Sequence, residues 1–388
     1  MENMIVIYGV LFCLAWWFMY GMITRIIFTL KELSNIDIIE PNTWPALNIV
    51  IPACNEEEGI EEAIQSLLLQ YYPNLKIILI NDRSDDNTGE IIDRLATDER
   101  VKAIHITALP EDWLGKVHAQ SIAINEVDGE WVLFTDADIN FKPGALKKAV
   151  SYVLYKDADH LALLPSVITN GFWLEVIIRT FGLMFLFTTR VHELEKPDTQ
   201  TFIGVGAFNL VKKSILDKSK GLRWLRMEVA DDVGMGMLIK RAGGKSVFAM
   251  AEKLLSVAWY PSIGAMFIGL EKNLFGAGSH YQIIRLLFMV ALMWLFVFAP
   301  FIVLLSSTPA WLDLLALLTL LWIPVMMVIG KVTSGARYSV GLFIPLGQIV
   351  ISLMMLWSGI ICLIRGGIIW RGTLYPIKKL KKYQKIKF

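Results

Sequence analysis

Charge is scarce in this 388-residue chain: 19% of its residues are Asp, Glu, Lys or Arg, against 55% that are hydrophobic. Ordinary soluble domains hold about 45–50% apolar residues, so a wholly water-facing chain is excluded and membrane segments are the first expectation. Cysteine is nearly absent. Of the three present, Cys13 and Cys362 lie in apolar runs and Cys54 ends a strand-like segment, which leaves no disulfide framework and suits a reducing compartment. A basic excess is missing as well. With a formal net charge of +1, nothing points to a nucleic-acid partner.

The first apolar run also lacks the basic leader of a signal peptide. Ile5 to Thr24 gives 20 consecutive uncharged positions, enough to cross a hydrocarbon core about 30 Å thick. No small-residue cleavage pattern closes the run, so a retained anchor is expected. A second apolar region runs from Leu286 to Ile364, with Asp313, Lys331 and Arg337 its only charges. It divides into Leu286 to Leu305, Trp311 to Ile329 and Ser339 to Ile364, each long enough to span.

Four parts follow: an anchor (1–31), a domain of mixed polarity (32–285), a membrane bundle (286–364) and a tail (365–388). Arg25 and Lys31 follow the anchor, and the tail carries eight Lys or Arg and no acid. Both flanks favour the cytoplasmic side, yet four full crossings would put the tail outside. Ser339 to Ile364, interrupted by Pro345 and Gly347, is therefore expected to be re-entrant or tilted. Residues 171–190 and 258–284 are rich in Trp and Phe and read as interfacial helices, the first with too short an uncharged run to span.

Within the domain, strands are expected at Leu47 to Ala53, Leu75 to Ile80, Val101 to Ile106, Trp131 to Phe134 and near His160 to Pro165. Helices are expected from the acids after Cys54 to about Gln70, from Gly89 to Ala96, from Lys116 to Glu126, and from Pro143, at a first helical position, to Tyr155. Alternating strands and helices imply an α/β fold with a mainly parallel sheet. Three strand ends carry carboxylates, at Glu56, at Asp82 and at Asp136 with Asp138. In a parallel sheet these ends share one edge, where open α/β sheets bind ligands. Asp136-Ala137-Asp138 suits a hard divalent cation such as Mg²⁺ or Mn²⁺, which in turn holds a diphosphate. The plainer alternative is a loop whose aspartates only solvate a strand end.

Ile51-Pro52-Ala53-Cys54-Asn55-Glu56, Ile80-Asn81-Asp82-Arg83-Ser84-Asp85-Asp86-Asn87-Thr88, Gly115-Lys116, Asp136-Ala137-Asp138 and Ala230-Asp231-Asp232 together resemble the ordered motifs of family 2 glycosyltransferases. Trp370-Arg371-Gly372-Thr373-Leu374-Tyr375 resembles the tail of the membrane subset that glycosylates hopanoid or carotenoid lipids. The resemblance implies a nucleotide-sugar-binding fold of the GT-A type, inverting chemistry, a UDP-sugar donor, a divalent cation and a membrane lipid acceptor at a bacterial cell membrane. It places Pro52, Ala53, Glu56 and Asp82 around the uridine, with Lys116 and Asp136 near the donor. The metal falls to Asp138, and Asp232 becomes the general base with Asp231 beside it. Two departures stand out: Arg83 replaces a usual small residue, and Asp231 replaces a usual Glu. The Gln-x-x-Arg-Trp pattern of processive synthases is missing around Gly269 to Phe275, which favours one sugar per lipid over a polymer. The rivals are a transferase that loads a polyprenyl phosphate, and a membrane scaffold or sugar-lipid transporter whose domain only binds nucleotide. The alternative for Asp231 and Asp232 is helix capping.

Overall fold

The computed structural model describes residues 2–196, 198–334 and 338–386. The Lys331 side chain, Arg337 and Lys387 lie outside the described residues.

The chain begins with α1 (Glu2–Thr29) and then enters the α/β domain with β1 (Leu47–Ala53), α2 (Ile60–Leu68), β2 (Leu75–Asp82), α3 (Thr88–Leu95) and β3 (Val101–Ile106). Next come α4 (Gly115–Ala123), β4 (Trp131–Phe134), β5 (Asn140–Phe141), α5 (Ala145–Tyr155), β6 (His160–Val167) and α6 (Phe172–Thr188). The domain closes with β7 (Asn209–Lys212), α7 (Lys213–Lys218), α8 (Asp231–Arg241), β8 (Ser246–Val257) and α9 (Ile263–Ser279). Then follow α10 (Ile283–Leu304), α11 (Ala310–Ser334), α12 (Ile344–Arg365), the hairpin β9 (Gly367–Trp370) and β10 (Thr373–Pro376), and α13 (Ile377–Tyr383).

Eight strands form one sheet in the order β3-β2-β1-β4-β7-β6-β8-β5. β1 to β4 are mutually parallel, and β7 enters antiparallel between β4 and β6. Alternate residues of β1 and β2 face opposite layers. Ile49, Ile51, Ile77 and Leu79 pack with α2, α3 and α5, whereas Val50, Ile78 and Ile80 pack with α4 and α8. Both faces are thus covered, and the strands read as continuous apolar runs. Pro52 is tolerated in this central strand because the β1–β4 ladder ends at Val50 opposite Phe134, two residues earlier. Its missing N–H has no partner to lose.

Two local expectations need correction. Pro143 does not open α5; Gly144, at φ 80°, precedes the first helical residue Ala145. Residues 172–193 form an apolar stretch of 22 residues, long enough to cross a membrane. The charge at Arg179 that interrupted the run is neutralised by Glu252 on β8, at 3.1 Å.

Among the described residues, four helices are long and apolar enough to cross a membrane: Asn3–Thr29, Phe172–Glu193, Ile283–Leu304 and Ser339–Arg365. α10 packs on both α1 and α12. α1 is tied to α10 by the Trp16 indole, which donates to the Phe296 carbonyl at 2.8 Å, and to α11 by the Tyr20 hydroxyl, which donates to the Thr319 carbonyl at 3.0 Å. α12 meets α10 where the Trp294 indole donates to Ser352 at 2.7 Å, and it also lies along α9 and α6. Its Ile351 and Met354 pack with Leu174, Ile177, Met266 and Leu270, while Ser358 accepts from the Phe275 N–H at 3.0 Å and Arg365 pairs with Glu271 at 2.6 Å.

One buried side chain sets the loop that enters β7. His160 donates from Nε2 to the Asn209 side-chain oxygen at 3.1 Å and accepts at Nδ1 from the Ser246 hydroxyl at 3.1 Å, and the same Asn209 oxygen accepts from the Val205 N–H at 3.3 Å. Burial holds His160 neutral, pushing it down to about 4 from its ordinary 6.5. The unfolded chain then takes up the proton more readily, so stability falls as pH drops from about 6.5 toward 4, by about 3 kcal/mol. Thermal unfolding of the detergent-solubilised protein across that window should show the loss, and His160→Gln should flatten it; equal slopes for both proteins would refute the assignment.

Candidate functional site

The carboxyl ends of β1, β2 and β4 meet at one edge, as the spacing of the acids predicts. The loops there are laced together. The Glu56 N–H donates to Thr88 at 2.8 Å, the Asp85 N–H to Asn55 at 2.8 Å, and Asn87 donates to Glu57 at 2.8 Å. Much of the run Asn81 to Thr88 therefore serves to fix the loop that carries Glu56.

On the outer side of this edge stand Pro52, Ala53, Glu56 and Asp82. Pro52 and Ala53 are buried. Asp82 is buried too, and both of its oxygens receive the Arg83 guanidinium, at 2.8 and 3.1 Å. The Arg that departs from the family pattern is thus clamped on the acid that keeps it. Glu56 is bound by Arg371, which also donates to the Asn55 carbonyl at 3.4 Å. Arg371 and Gly372 form the two-residue turn between β9 and β10, at φ 47° and 74°, the conformation that suits the twist of a tight hairpin. Sequence reasoning assigned Arg371 no role; its signal was the run Trp370 to Tyr375.

On the inner side, Lys116 joins the acids of two distant segments. Its ammonium lies 2.6 Å from Asp136 and 3.5 Å from Asp231. Burial opposes its charge, but Asp136, Asp231 and Asp232 overcome that and hold it above the usual lysine range. Burial pushes Asp231 up to about 6 against the pull of Lys116. Asp138 rises to about 7, from burial first and then from Asp136 and Glu56. Lys272 is the second cation missed in the sequence. Its ammonium lies 3.8 Å from the Trp370 ring centroid, and burial followed by Lys116 lowers it to about 8.

Asp232 is the second residue of α8, whose cap position is Ala230. Its carboxylate accepts from the adjacent Val233 N–H at 2.8 Å and from the Gly206 N–H at 3.0 Å, and α8 has no side-chain cap bond. Burial raises its affinity for a proton, with Lys116 opposing. Gly204 and Gly206, also missed, are what allow the close approach. A Cβ at Gly204 would overlap the Asp232 carbonyl, and one at Gly206 would sit 2.6 Å from an Asp136 oxygen. The sequence signal was Ile203-Gly204-Val205-Gly206.

Among the described residues no three His, Cys, Asp or Glu side chains gather as a metal cluster. The pair Asp136 and Asp138 still fits a hard divalent cation, since such ions are often held by one or two carboxylates plus substrate phosphates. Their mutual repulsion, visible in the raised Asp138, is what a cation would relieve.

Asp136, Asp138 and Asp232 also line a cavity of about 410 Å³. From there its wall runs over Trp259 and Phe181 to Trp16 and Tyr20 of α1 and Ile344 of α12.

Residues 48–233 match the family Glycosyl transferase family 2. Glycosyltransferase GlyG of Streptococcus pneumoniae is 32% identical over 114 residues, 29% of this chain and 36% of that protein. Poly(ribitol-phosphate) beta-N-acetylglucosaminyltransferase TarS of Staphylococcus aureus is 25% identical over 118 residues, 30% of this chain and 20% of that protein. The chain thus spans less than half the length of these relatives. Among solved structures, the mannosyltransferase PcManGT from Pyrobaculum calidifontis, in complex with GDP-Man and Mn²⁺, superposes with a TM-score of 0.54 at 18% identity, covering 91% of this chain and 99% of that one. The fold is that of the GT-A type, as expected.

Gly206→Ala should crowd Asp136 and disturb the bond that aims Asp232. Displacements of about 1 Å cost on the order of 10²-fold in rate, so donor turnover should fall by that order while the thermal midpoint barely moves. Wild-type turnover in the variant would remove Gly206 from the site.

Proposed function

Because the chain carries a family 2 glycosyltransferase domain, we propose that it moves one sugar, with inversion, from a UDP-sugar to a hydroxyl of a membrane lipid. The observation that carries this reading is the cavity. It joins three carboxylates of the domain to aromatic side chains of the anchor and of the interfacial segments. A water-soluble acceptor has no use for such walls, whereas an amphiphile fills them while presenting its hydroxyl to Asp232.

The chemistry follows from charge. Bond cleavage loads negative charge on the diphosphate, and Asp138 with Asp136 would hold a divalent cation that would supply the main counter-charge. Lys116 adds a fixed ammonium, already desolvated and aimed by its acids. Asp232 takes the proton of the acceptor hydroxyl as that oxygen attacks the anomeric carbon. Its two backbone N–H partners fix its direction, and its raised proton affinity suits a base. The leaving diphosphate needs no proton, so one carboxylate suffices where glycoside hydrolysis uses two. One in-line displacement inverts the centre. On the nucleotide side, Glu56, Asp82 and Arg83 meet the base and ribose. GDP-mannose is the second donor to test, because the structural neighbour binds GDP-Man.

We place the domain on the cytoplasmic face, with α1, α10 and α11 crossing and α6, α9 and α12 lying along the interface. Support comes from the tail. Lys379 pairs with Asp112 at 2.8 Å, and the N–H groups of Lys385 and Ile386 donate to Glu228 at 2.6 and 3.1 Å. A tail docked on the domain shares its side of the membrane, which a tilted α12 permits.

Calorimetry should show UDP-sugar binding that requires a divalent cation and weakens sharply in Asp138→Asn; equal affinity in chelator would end the metal assignment. Asp232→Asn keeps shape and hydrogen bonding but cannot accept the proton. Turnover should fall by roughly 10²–10⁴-fold with donor affinity nearly unchanged, and a variant that glycosylates at the wild-type rate would exclude Asp232 as the base.

A further inference from the structure

Resting on the lipid-acceptor reading above, the cavity's second polar group bears on what kind of lipid is taken. Among the described residues, Glu32, Asp136, Asp138, Asp232 and Glu252 line the cavity with a single cation, Arg179. Glu32 is spoken for, because it accepts from the Glu252 N–H at 3.1 Å and from Ser34 at 3.1 Å. Arg179 and Glu252 are not. One guanidinium nitrogen meets one carboxylate oxygen at 3.1 Å, and no other partner of either side chain is found among the described residues. A guanidinium has five N–H donors and a carboxylate about four acceptor sites. Most of theirs are therefore free of protein partners, and with side chains 31% and 20% exposed in the cavity wall they are open to a ligand.

We propose that the Arg179–Glu252 pair anchors the acceptor's head, and that this head is an uncharged polyol with one hydroxyl at Asp232 and another on the pair. A phosphate or carboxylate head could bond Arg179 but would meet Glu32, Asp232 and Glu252, the lining carboxylates outside the Asp136–Asp138 pair proposed to hold the cation. An ammonium head would suit the acids but has nothing to accept from Arg179. A hydroxyl does both, accepting from the guanidinium and donating to Glu252. The same charge balance disfavours a polyprenyl phosphate acceptor.

The test uses the full chain in lipid nanodiscs with radiolabelled UDP-hexose. Total membrane lipid, separated by anion exchange into neutral and acidic fractions, serves as acceptor. Label should enter the neutral fraction. With that fraction, Arg179→Met should raise the acceptor KM roughly tenfold or more, the scale of one charge-assisted hydrogen bond. The donor KM should stay within about twofold and Arg179→Lys should recover part of the loss, a split that a purely structural α6–β8 tie does not give. Label in the acidic fraction, or an unchanged acceptor KM in Arg179→Met, overturns the polyol head while leaving the transferase reading standing. No label in either fraction, with donor hydrolysis continuing, overturns the lipid acceptor itself and this inference with it.

Discussion

The Lys116 ammonium holds together carboxylates that would otherwise repel one another at the carboxyl edge of the sheet. It touches Asp136 from β4 and Asp231 from α8, two segments nearly a hundred residues apart. Without that charge, burial would favour protonated, neutral acids at this edge. With it, Asp136 and Asp232 are brought to the same cavity wall. Lys116 is thus a structural counterion as well as a positive charge for the leaving group.

Close backbone approach makes this arrangement possible. The loop through Gly204 and Gly206 lies against the start of α8 at a distance no side chain permits, and the Gly206 N–H reaches Asp232. The same loop is pinned from below by Asn209 and His160. A core histidine in the sheet thereby helps to aim the proposed base. On the far side of the cavity the anchor and the interfacial helices supply apolar walls, so chemistry and membrane meet in one space.

Local pattern made the first half of the domain legible. Leu47–Ala53 and Val101–Ile106 are strands to the residue, the first a buried, mostly apolar run and the second a β-branched edge strand with exposed Lys102 and His105. The carboxylate edge was equally readable, since parallel order alone brings strand ends together. What escaped was long-range. β7 is four residues of modest pattern that enter antiparallel between distant strands, and no local periodicity announces that. Nothing in the sequence joined Arg371 to Glu56, 315 positions apart. Pro143 misled because its fixed φ suits a helix start, while Gly144 in the left-handed region put the first helical residue, Ala145, two positions later.

The central claim is transfer of one sugar from a nucleotide to a lipid hydroxyl. Its most direct test is mass spectrometry of lipid extracts from cells that express the chain and from cells that lack it. A neutral lipid heavier by a single hexose, present only in expressing cells, is the predicted result. Identical lipid profiles in the two extracts, or a ladder of species differing by many sugars, would contradict it.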